Sequence, residues 1–305
     1  MKRVVLLPNP SASGFTGDGF RRVLTTLGRD FDVRPEWAET AADVGRLARD
    51  AAETGADAVV AMGGDGTVHL AANGLIGTDA ALGIIPAGTT NVVAKILGVP
   101  QSVGRAAEAI ATSRAQPYTL ARITGETARG TVDRYAVFAA GVGFDADVVL
   151  VAEQRPYSKL SFGALHYARS AISQVFGRYR SLDPYLEVEA GGSAFSAVAV
   201  MVQVHHVYTY FGRVPLYLSK SAGTGLTAAA IGRLAPAAAA GIARRAVFAR
   251  SLASAPQARL ISDFELLTVE AAAPAPFQAD GEPLGTGTRF EVRPAPDAIR
   301  ILSPT

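Results

Sequence analysis

The sequence predicts two domains, an α/β N-terminal domain built on a parallel sheet and a C-terminal, mainly antiparallel β domain with helical inserts. Three observations lead to this fold class. The chain has 305 residues, more than one core usually fills. Residues 1–117 alternate short apolar strands with helices, and residues 118–305 alternate apolar and polar positions between turns. We expect the last strand to return to the first domain.

The first domain is predicted element by element from its apolar runs. Strands this short, separated by helices, imply a parallel sheet covered on both faces. Ligands bind such sheets beyond the carboxyl ends of the strands. The predicted strands are RVVLLP, FDVRPEW, ADAVVAM and ALGIIP, and the predicted helices are 18–27, AADVGRLARDAAETG, and segments that begin at Thr67 and near Asn91 and Ser102.

The second domain shows alternation and turns after Pro117. This pattern favours antiparallel strands. Two helical inserts are expected, over 158–177 and roughly 237–253, the second of them just after Pro236. The predicted strands lie in YTLARITGETARGTVDRYAVFAAGVGF, PYLEVEAGGSAFSAVAVMVQV, LLTVEAAA, FQADGEPL and FEVRP.

Composition excludes several classes of protein. The chain has no cysteine, which excludes disulfides and thiolate metal sites and permits an intracellular location. A net charge of +2 is too small to indicate nucleic-acid binding. The apolar run before Pro8 is too short for a signal peptide. The longest stretch without charged residues, 190–212, contains glycines, Gln203 and two histidines, so we expect no membrane span.

The segment AMGGDGTVHLAANG places three glycines, Gly63, Gly64 and Gly66, around Asp65 where a strand turns into a helix. A sharp turn alone can require glycine, because glycine adopts positive φ. The alternative is a phosphate site, since glycines let an anion approach the N–H groups at a helix N-terminus. The clusters NPSASG and PAGTTN also follow strands, so we expect all three to converge on one crevice.

The motifs together resemble the diacylglycerol kinase catalytic-domain family, which includes bacterial lipid kinases and sphingosine kinases. The resemblance runs nearly end to end, through NPSASG, GGDGT, PAGTTN, GVGFDA, LSFGALHYA and ADGE. NAD kinases and phosphofructokinases share GGDGT in a related fold, so the order and spacing of the set carry the resemblance. It implies an ATP- and Mg²⁺-dependent lipid kinase that transfers the γ-phosphate to a hydroxyl of diacylglycerol or a related lipid.

The resemblance also implies the residues that would bind ATP. Thr67 supplies a hydroxyl at the helix start, and Asp65 can hold Mg²⁺ directly or through water. The glycine cluster is then a cradle for the nucleotide phosphates. The implied nucleotide-binding residues are Asn9, Pro10, Ser11, Ala12, Ser13, Thr40, Gly63, Gly64, Asp65, Gly66, Thr67 and Thr89.

ADGE contains the candidate catalytic residues Asp280 and Glu282. By itself Asp-Gly is an ordinary turn. The resemblance places this carboxylate pair by the transferred phosphate, where a base must take the proton of the acceptor hydroxyl. Which of the two takes the proton stays open.

Two positions depart from the family pattern. Leu70 stands three residues after the threonine of GGDGT, where most lipid kinases of the family have glutamate, and Thr224 stands where an aspartate helps to hold a structural Mg²⁺. The structural metal site is therefore unknown, and a catalytically impaired protein that binds lipid and nucleotide is an alternative. An NAD kinase is a weaker alternative, because PAGTTN is typical of lipid kinases.

The implied partner is a membrane lipid, and no nucleic acid is expected. The segment PAAAAGIARRAVFARSLA predicts a helix with apolar and basic residues, which is either an ordinary packed surface helix or a contact with anionic lipid. We expect a cytoplasmic protein with peripheral contact to the anionic inner face of the membrane. A homodimer is compatible with the sequence.

Overall fold

The computed structural model describes residues 1–153, 164–220 and 225–304. The chain forms two compact units, Met1–Leu120 with the segment from Pro296 onward, and Ala121–Ala295. The boundary expected at residue 117 falls within strand β5, Arg114–Thr127.

The N-terminal unit alternates strands and helices as its apolar runs predict. Its helix α1 begins at a Thr16 cap, where the hydroxyl accepts from the Gly19 N–H at 3.0 Å. The elements are β1 Lys2–Pro8, α1 Gly17–Leu27, β2 Phe31–Pro35, α2 Ala41–Glu53, β3 Ala58–Gly63, α3 Asp65–Gly74, β4 Ala81–Pro86, α4 Val92–Ile96 and α5 Val103–Thr112.

The sheet of this unit is parallel, in the order β2–β1–β3–β4. Every residue of β3 and β4 is buried, as expected for strands covered on both faces. A fifth strand pairs with β4 in parallel through Arg300 and Ile301. These parallel strands end at a common edge, so the loops that follow β1, β3 and β4 emerge together.

The second unit consists mostly of strands. After β5 its elements are β6 Gly130–Ala136, β7 Ala139–Gly143, α6 Phe144–Glu153, α7 Ala164–Phe176, a 3₁₀ turn Arg178–Arg180, β8 Leu186–Ala190, β9 Ser193–Ala197, β10 Ala199–Gln203, β11 Thr209–Phe211, β12 Val214–Leu216, β13 Thr227–Ile231, α8 Pro236–Arg244, a π-helical turn Arg245–Ala249, β14 Ala258–Ser262, β15 Leu267–Ala279 and β16 Glu282–Ser303.

The main sheet of this unit is antiparallel, in the order β14–β13–β10–β7–β15–β16. Its core is formed by apolar side chains that alternate inward along the strands, among them Phe277 and Phe290, whose ring centroids lie 5.1 Å apart. An α/β unit with parallel strands and a mainly antiparallel β unit confirm the predicted fold class.

The helical inserts differ in part from the prediction. The helix expected over 237–253 ends as α8 at Arg244 and continues as the π-helical turn to Ala249. The chain leaves the helix there because Arg250 has a left-handed φ of 53° and the Leu252 N–H donates to the Leu218 carbonyl at 2.8 Å. Of the insert expected over 158–177, the first residues lie outside the described part, as do the first residues of LSFGALHYA and Thr224.

Within the described ranges, no helix combines the length and the apolar character needed to cross a membrane.

Candidate functional site

Direct contacts in the N-terminal unit join the loops that follow β1, β3 and β4. The Asn9 side-chain amide donates to the Thr67 hydroxyl at 2.9 Å, and the Ser13 and Thr89 hydroxyls lie 2.9 Å apart. The Gly14 N–H donates to the Ala87 carbonyl at 2.8 Å. The structure therefore brings the three small-residue clusters together at the carboxyl edge of the sheet.

Glycines are required where the second and third loops meet. A Cβ on Gly88 would lie 2.5 Å from the Cα of Gly64, and a Cβ on Gly63 would lie 2.4 Å from the Thr67 hydroxyl oxygen. Such distances are below any real van der Waals contact, and one of them would be to backbone. Gly63 and Gly64, which have no side chains, lead directly into α3, whose first N–H groups have no partner within the helix. This arrangement suits a phosphate group.

Asn9 and Thr67 connect the first loop to the start of α3. Asn9 uses both ends of its amide, because its Oδ1 accepts from the Ser11 N–H at 2.9 Å while its Nδ2 donates to Thr67. Thr67 is buried to 6% exposure and accepts this bond, so its own hydroxyl proton is left to donate elsewhere. Pro10, Ser11 and Ser13 are exposed in the loop that follows β1.

Asp65 is the first residue of α3 and is half-buried. Its Oδ1 accepts from the Val93 N–H at 3.2 Å, near the start of α4. The carboxylate therefore ties the GGDGT loop to the helix that follows PAGTTN. Its second oxygen, Oδ2, is a hard ligand of the kind that Mg²⁺ prefers.

Thr40 occupies a different local environment from the loops. It caps the N-terminus of α2, where its N–H and its hydroxyl both donate to Asp43 Oδ2 at 2.8 Å. The Arg46 guanidinium, together with Thr40, lowers the pKa of Asp43 to about 2. The structure thus gives Thr40 a capping role, and its contact with a nucleotide stays a prediction.

The ADGE motif forms the turn between β15 and β16 in the second unit. Ala279 pairs with Glu282, and the two residues between them, Asp280 and Gly281, have φ of 56° and 82°. Two positive φ values are the mark of a type I′ hairpin turn, which Asp-Gly favours. The turn expected from the dipeptide is therefore present.

Asp280 nevertheless has a position that an ordinary turn does not require. It is buried to 4% exposure, and its carboxylate accepts from three consecutive backbone N–H groups. Oδ2 accepts from Val137 at 2.7 Å, and Oδ1 accepts from Phe138 at 2.8 Å and Ala139 at 3.1 Å. The three hydrogen bonds fasten the turn to the start of β7. The side chain of Glu282, two residues on, is only partly buried.

A second polar connection, through the buried Gln278 side chain, supports the same turn. Gln278 Oε1 accepts from the Gly281 N–H at 2.8 Å, and Gln278 Nε2 donates to Asp145 Oδ2 at 2.6 Å. Burial raises the pKa of the Asp145 carboxyl, against the opposing hydrogen bonds from Tyr208 and Gln278. Asp145 belongs to the GVGFDA motif, so this motif is connected to ADGE through one glutamine.

Asp65 is the described residue that best fits Mg²⁺ bound together with a nucleotide. Nowhere in the described ranges do three His, Asp or Glu side chains cluster as a metal site of protein ligands. Mg²⁺ in nucleotide enzymes commonly takes only one or two carboxylates and completes its shell with phosphate oxygens and water. A single loop carboxylate is therefore sufficient.

A cleft of about 850 Å³ lies away from these loops, at the edge where the strands of the N-terminal unit begin. Its lining includes the first residue of each of the strands β1 to β4: Lys2, Phe31, Ala58 and Ala81. It contains none of the residues that the sequence predicts to bind nucleotide.

The comparisons with known proteins match the segment that contains these loops. Residues 3–123 match the family model described as the diacylglycerol kinase catalytic domain. Over these residues the chain resembles the diacylglycerol kinase catalytic domain. The matched range contains every residue predicted to bind nucleotide, and it ends before Asp280 and Glu282.

Similar proteins extend this result in sequence and in fold. The diacylglycerol kinase of Bacillus subtilis (strain 168) is 31% identical over 134 residues, 41% of this chain and 43% of the relative. A crystal structure of a diacylglycerol kinase from Bacillus anthracis str. Sterne has a TM-score of 0.73 at 18% identity, covering 99% of this chain and 97% of its own. Yeast NADH kinase complexed with NADH has a TM-score of 0.52 at 12% identity, covering 100% and 84%. The two structures show the fold alone.

The chain spans less than half of the length of the first curated relatives that it matches, 43%, 35% and 42%. What those relatives act on is therefore a proposal for this chain.

The structure adds residues that sequence reasoning missed. Asn91 has a left-handed φ of 51°, and its side chain both accepts from the Gly88 N–H and donates to the Gly88 carbonyl at 2.9 Å. It thereby shapes the loop that presses Gly88 against Gly64. Its place in PAGTTN could have indicated this role, because asparagine tolerates positive φ. Gln278 and Tyr208 carry no such signal, since single polar residues in a strand or loop are common.

Proposed function

We propose that the protein is an ATP- and Mg²⁺-dependent lipid kinase that transfers the γ-phosphoryl group to a hydroxyl of diacylglycerol or a related lipid. The observation that carries this proposal is the joining of three strand-end loops around bare glycine backbone within the segment that matches the family. Phosphoryl transfer depends on positioning and on stabilising charge, and this loop arrangement supplies both.

The phosphates of ATP lie against the backbone of Gly63, Gly64 and Gly66 in this proposal. The N–H groups at the start of α3 donate to phosphate oxygens, and the positive end of the helix dipole favours their charge. Thr67 donates its hydroxyl proton to the same group, because Asn9 already supplies the bond that this oxygen accepts. Ser13 and Thr89 border the site through their paired hydroxyls.

Asp65 would hold Mg²⁺ when the metal arrives with ATP. The metal supplies neutralisation of the charge that develops between the β- and γ-phosphates. The bond from the Val93 N–H keeps the Asp65 side chain in one orientation.

The acceptor hydroxyl needs a base as its oxygen bonds to the γ-phosphorus and the bond from phosphorus to the ADP oxygen breaks. A carboxylate of the Asp280–Glu282 turn takes the hydroxyl proton in this proposal. Asp280 accepts three backbone hydrogen bonds and holds the turn in shape. Replacement of Glu282 is therefore the cleaner test of proton acceptance.

The departure at Leu70 supports a second candidate, a family member that binds lipid and nucleotide without turnover. Leu70 lies on α3, three residues after Thr67, and brings no carboxylate to the phosphate loop. Thr224, the other departure, lies outside the described residues.

One assay separates the candidates. The purified protein is incubated with ATP labelled in the γ-phosphate, Mg²⁺, a panel of micellar lipids and NAD, and E282Q serves as the matched control. We expect label in a lipid hydroxyl and its loss in the control. Label in NAD would replace the proposal by an NAD kinase. No label, with ATP binding detected by calorimetry, would identify the inactive binding protein.

A further inference from the structure

The second unit contains a long segment with only one sign of charge. Between Glu189 and Asp263 the sequence has no aspartate or glutamate, although the whole chain has 27 of them. Seven basic residues lie in the same interval: Arg213, Lys220, Arg233, Arg244, Arg245, Arg250 and Arg259. The segment between residues 189 and 263 is therefore positively charged, although the net charge of the whole chain is only +2.

Exposed apolar side chains lie on the same segment. Phe211 and Val214 face each other across the β11–β12 hairpin and are 40% and 42% exposed. Phe248, in the π-helical turn, is 79% exposed. An isolated exposed apolar residue needs no explanation, but two adjacent elements each carry one or more here.

The hairpin and the π-helical turn are held side by side. The Tyr217 N–H, just after β12, donates to the Ala246 carbonyl at 3.1 Å, and the Leu252 N–H donates to the Leu218 carbonyl at 2.8 Å. The Arg250 guanidinium lies over the Tyr217 ring, 5.6 Å from its centroid. These bonds fix the two elements as one surface.

Three arginines on this surface are exposed and positive. Arg213 is at the hairpin tip, Arg244 ends α8, and Arg250 follows the π-helical turn. None of them forms an ion pair with a carboxylate of the described residues, whereas Arg233 pairs with Asp183 at 2.6 Å. Their charge is thus available to an external anion.

We propose that residues 209–216 and 244–250 form a docking surface for an anionic lipid bilayer, with Phe211, Val214 and Phe248 entering the interface and Arg213, Arg244 and Arg250 contacting the headgroups. Arginines alone would suit any polyanion. Phenylalanine and valine offer no hydrogen bond to a nucleic acid or an acidic peptide, and they gain free energy at the boundary with acyl chains. The inference rests on the proposed function only in that a lipid acceptor resides in a bilayer.

Vesicle sedimentation without nucleotide tests the surface directly. The probes are phosphatidylcholine vesicles with and without phosphatidylglycerol, at low and high salt. We expect binding to the anionic vesicles that high salt reverses. The double variant Arg213→Gln/Arg244→Gln should bind them about thirty-fold more weakly, from the usual contribution of a basic residue near an anionic surface. Phe248→Ala should weaken binding about ten-fold.

The matched control is Arg129→Gln/Arg134→Gln, which removes two exposed arginines from the β5–β6 hairpin of the same unit. Wild-type affinity is expected. Equal loss in this control, equal binding to neutral and anionic vesicles, or displacement of the vesicles by a duplex DNA competitor at similar charge concentration would overturn the proposal.

Turnover of a water-soluble short-chain diacylglycerol separates this inference from the kinase assignment. The surface variants should retain that turnover and lose turnover on vesicles. If the wild type phosphorylates no lipid but its binding to vesicles still depends on Phe248 and the arginines, the docking surface stands and the kinase proposal fails. If turnover on vesicles is normal in all surface variants, the kinase proposal stands and the docking surface fails.

Discussion

Asp280→Asn should destabilise the second unit strongly, because one side chain satisfies three buried backbone amides. Asparagine keeps one oxygen. With that oxygen facing Phe138 and Ala139, its NH₂ group faces the Val137 N–H, and a buried donor is left unsatisfied at a cost of about 1–3 kcal/mol. The two remaining bonds lose their charge assistance, about 1 kcal/mol each. The expected loss is about 3–5 kcal/mol, a large share of the stability of a domain.

Thermal and urea unfolding measure this loss. For a unit of this size we expect the transition to fall by about 10 °C. Glu282→Gln is the matched variant, since it removes the same charge two residues away from a partly buried side chain, and its unfolding free energy should stay within about 1 kcal/mol of the wild type. An Asp280→Asn protein as stable as the wild type would show that the three hydrogen bonds do not anchor the turn.

The rate of lipid phosphorylation then distinguishes a residue that anchors the turn from a residue that accepts the proton. Below its unfolding transition, Glu282→Gln should turn over lipid about 10²- to 10⁴-fold more slowly while its affinity for ATP changes little. If Glu282→Gln has the wild-type rate and Asp280→Asn loses turnover beyond what its unfolded fraction explains, Asp280 is the base.

Two further predictions concern the strand-end loops of the N-terminal unit and Asp145. Gly88→Ala should abolish measurable ATP binding in calorimetry, because its Cβ would lie 2.5 Å from the Gly64 Cα. Gly17→Ala is the control and should bind ATP normally, because the nearest atom to its Cβ would be 3.8 Å away. Unchanged affinity in Gly88→Ala would contradict the close approach of the loops. Asp145→Asn should gain stability relative to the wild type as pH rises. The reason is that the carboxyl pKa of Asp145 is higher in the folded than in the unfolded state, so ionisation of Asp145 opposes folding once the pH exceeds the pKa of the unfolded state. Urea unfolding at several pH values measures the difference between the two proteins, and a difference that does not change with pH would contradict the prediction.

The sequence predicted the N-terminal unit well because its physical signals are local. Strands such as AVVAM are buried on both faces and read as continuous apolar runs, and the loops after them need glycine for steric reasons that the sequence displays directly. Even the convergence of the loops follows from the geometry of a parallel sheet, without knowledge of any side chain.

The second unit was less predictable because its key contacts are distant in sequence. Asp280 reaches amides 141–143 residues earlier in the chain, and Asp145 reaches Gln278 across 133 residues. A dipeptide that suits a turn gives no sign of these contacts. The end of α8 was missed for a similar reason, since the bond of Leu252 to Leu218 that redirects the chain is not local.

Strand β16 has a consequence for how the protein is made. Its C-terminal part supplies Ile299 and Ile301, each 1% exposed, to the sheet that Met1–Leu120 begins. On the ribosome, Ala121–Ala295 must be synthesised before that sheet can receive its fifth strand. At usual rates of elongation this takes about 10–35 s. During that interval β4 has an unpaired edge in a nascent chain, and a chaperone that covers such edges should engage the nascent protein until residues 299–301 emerge.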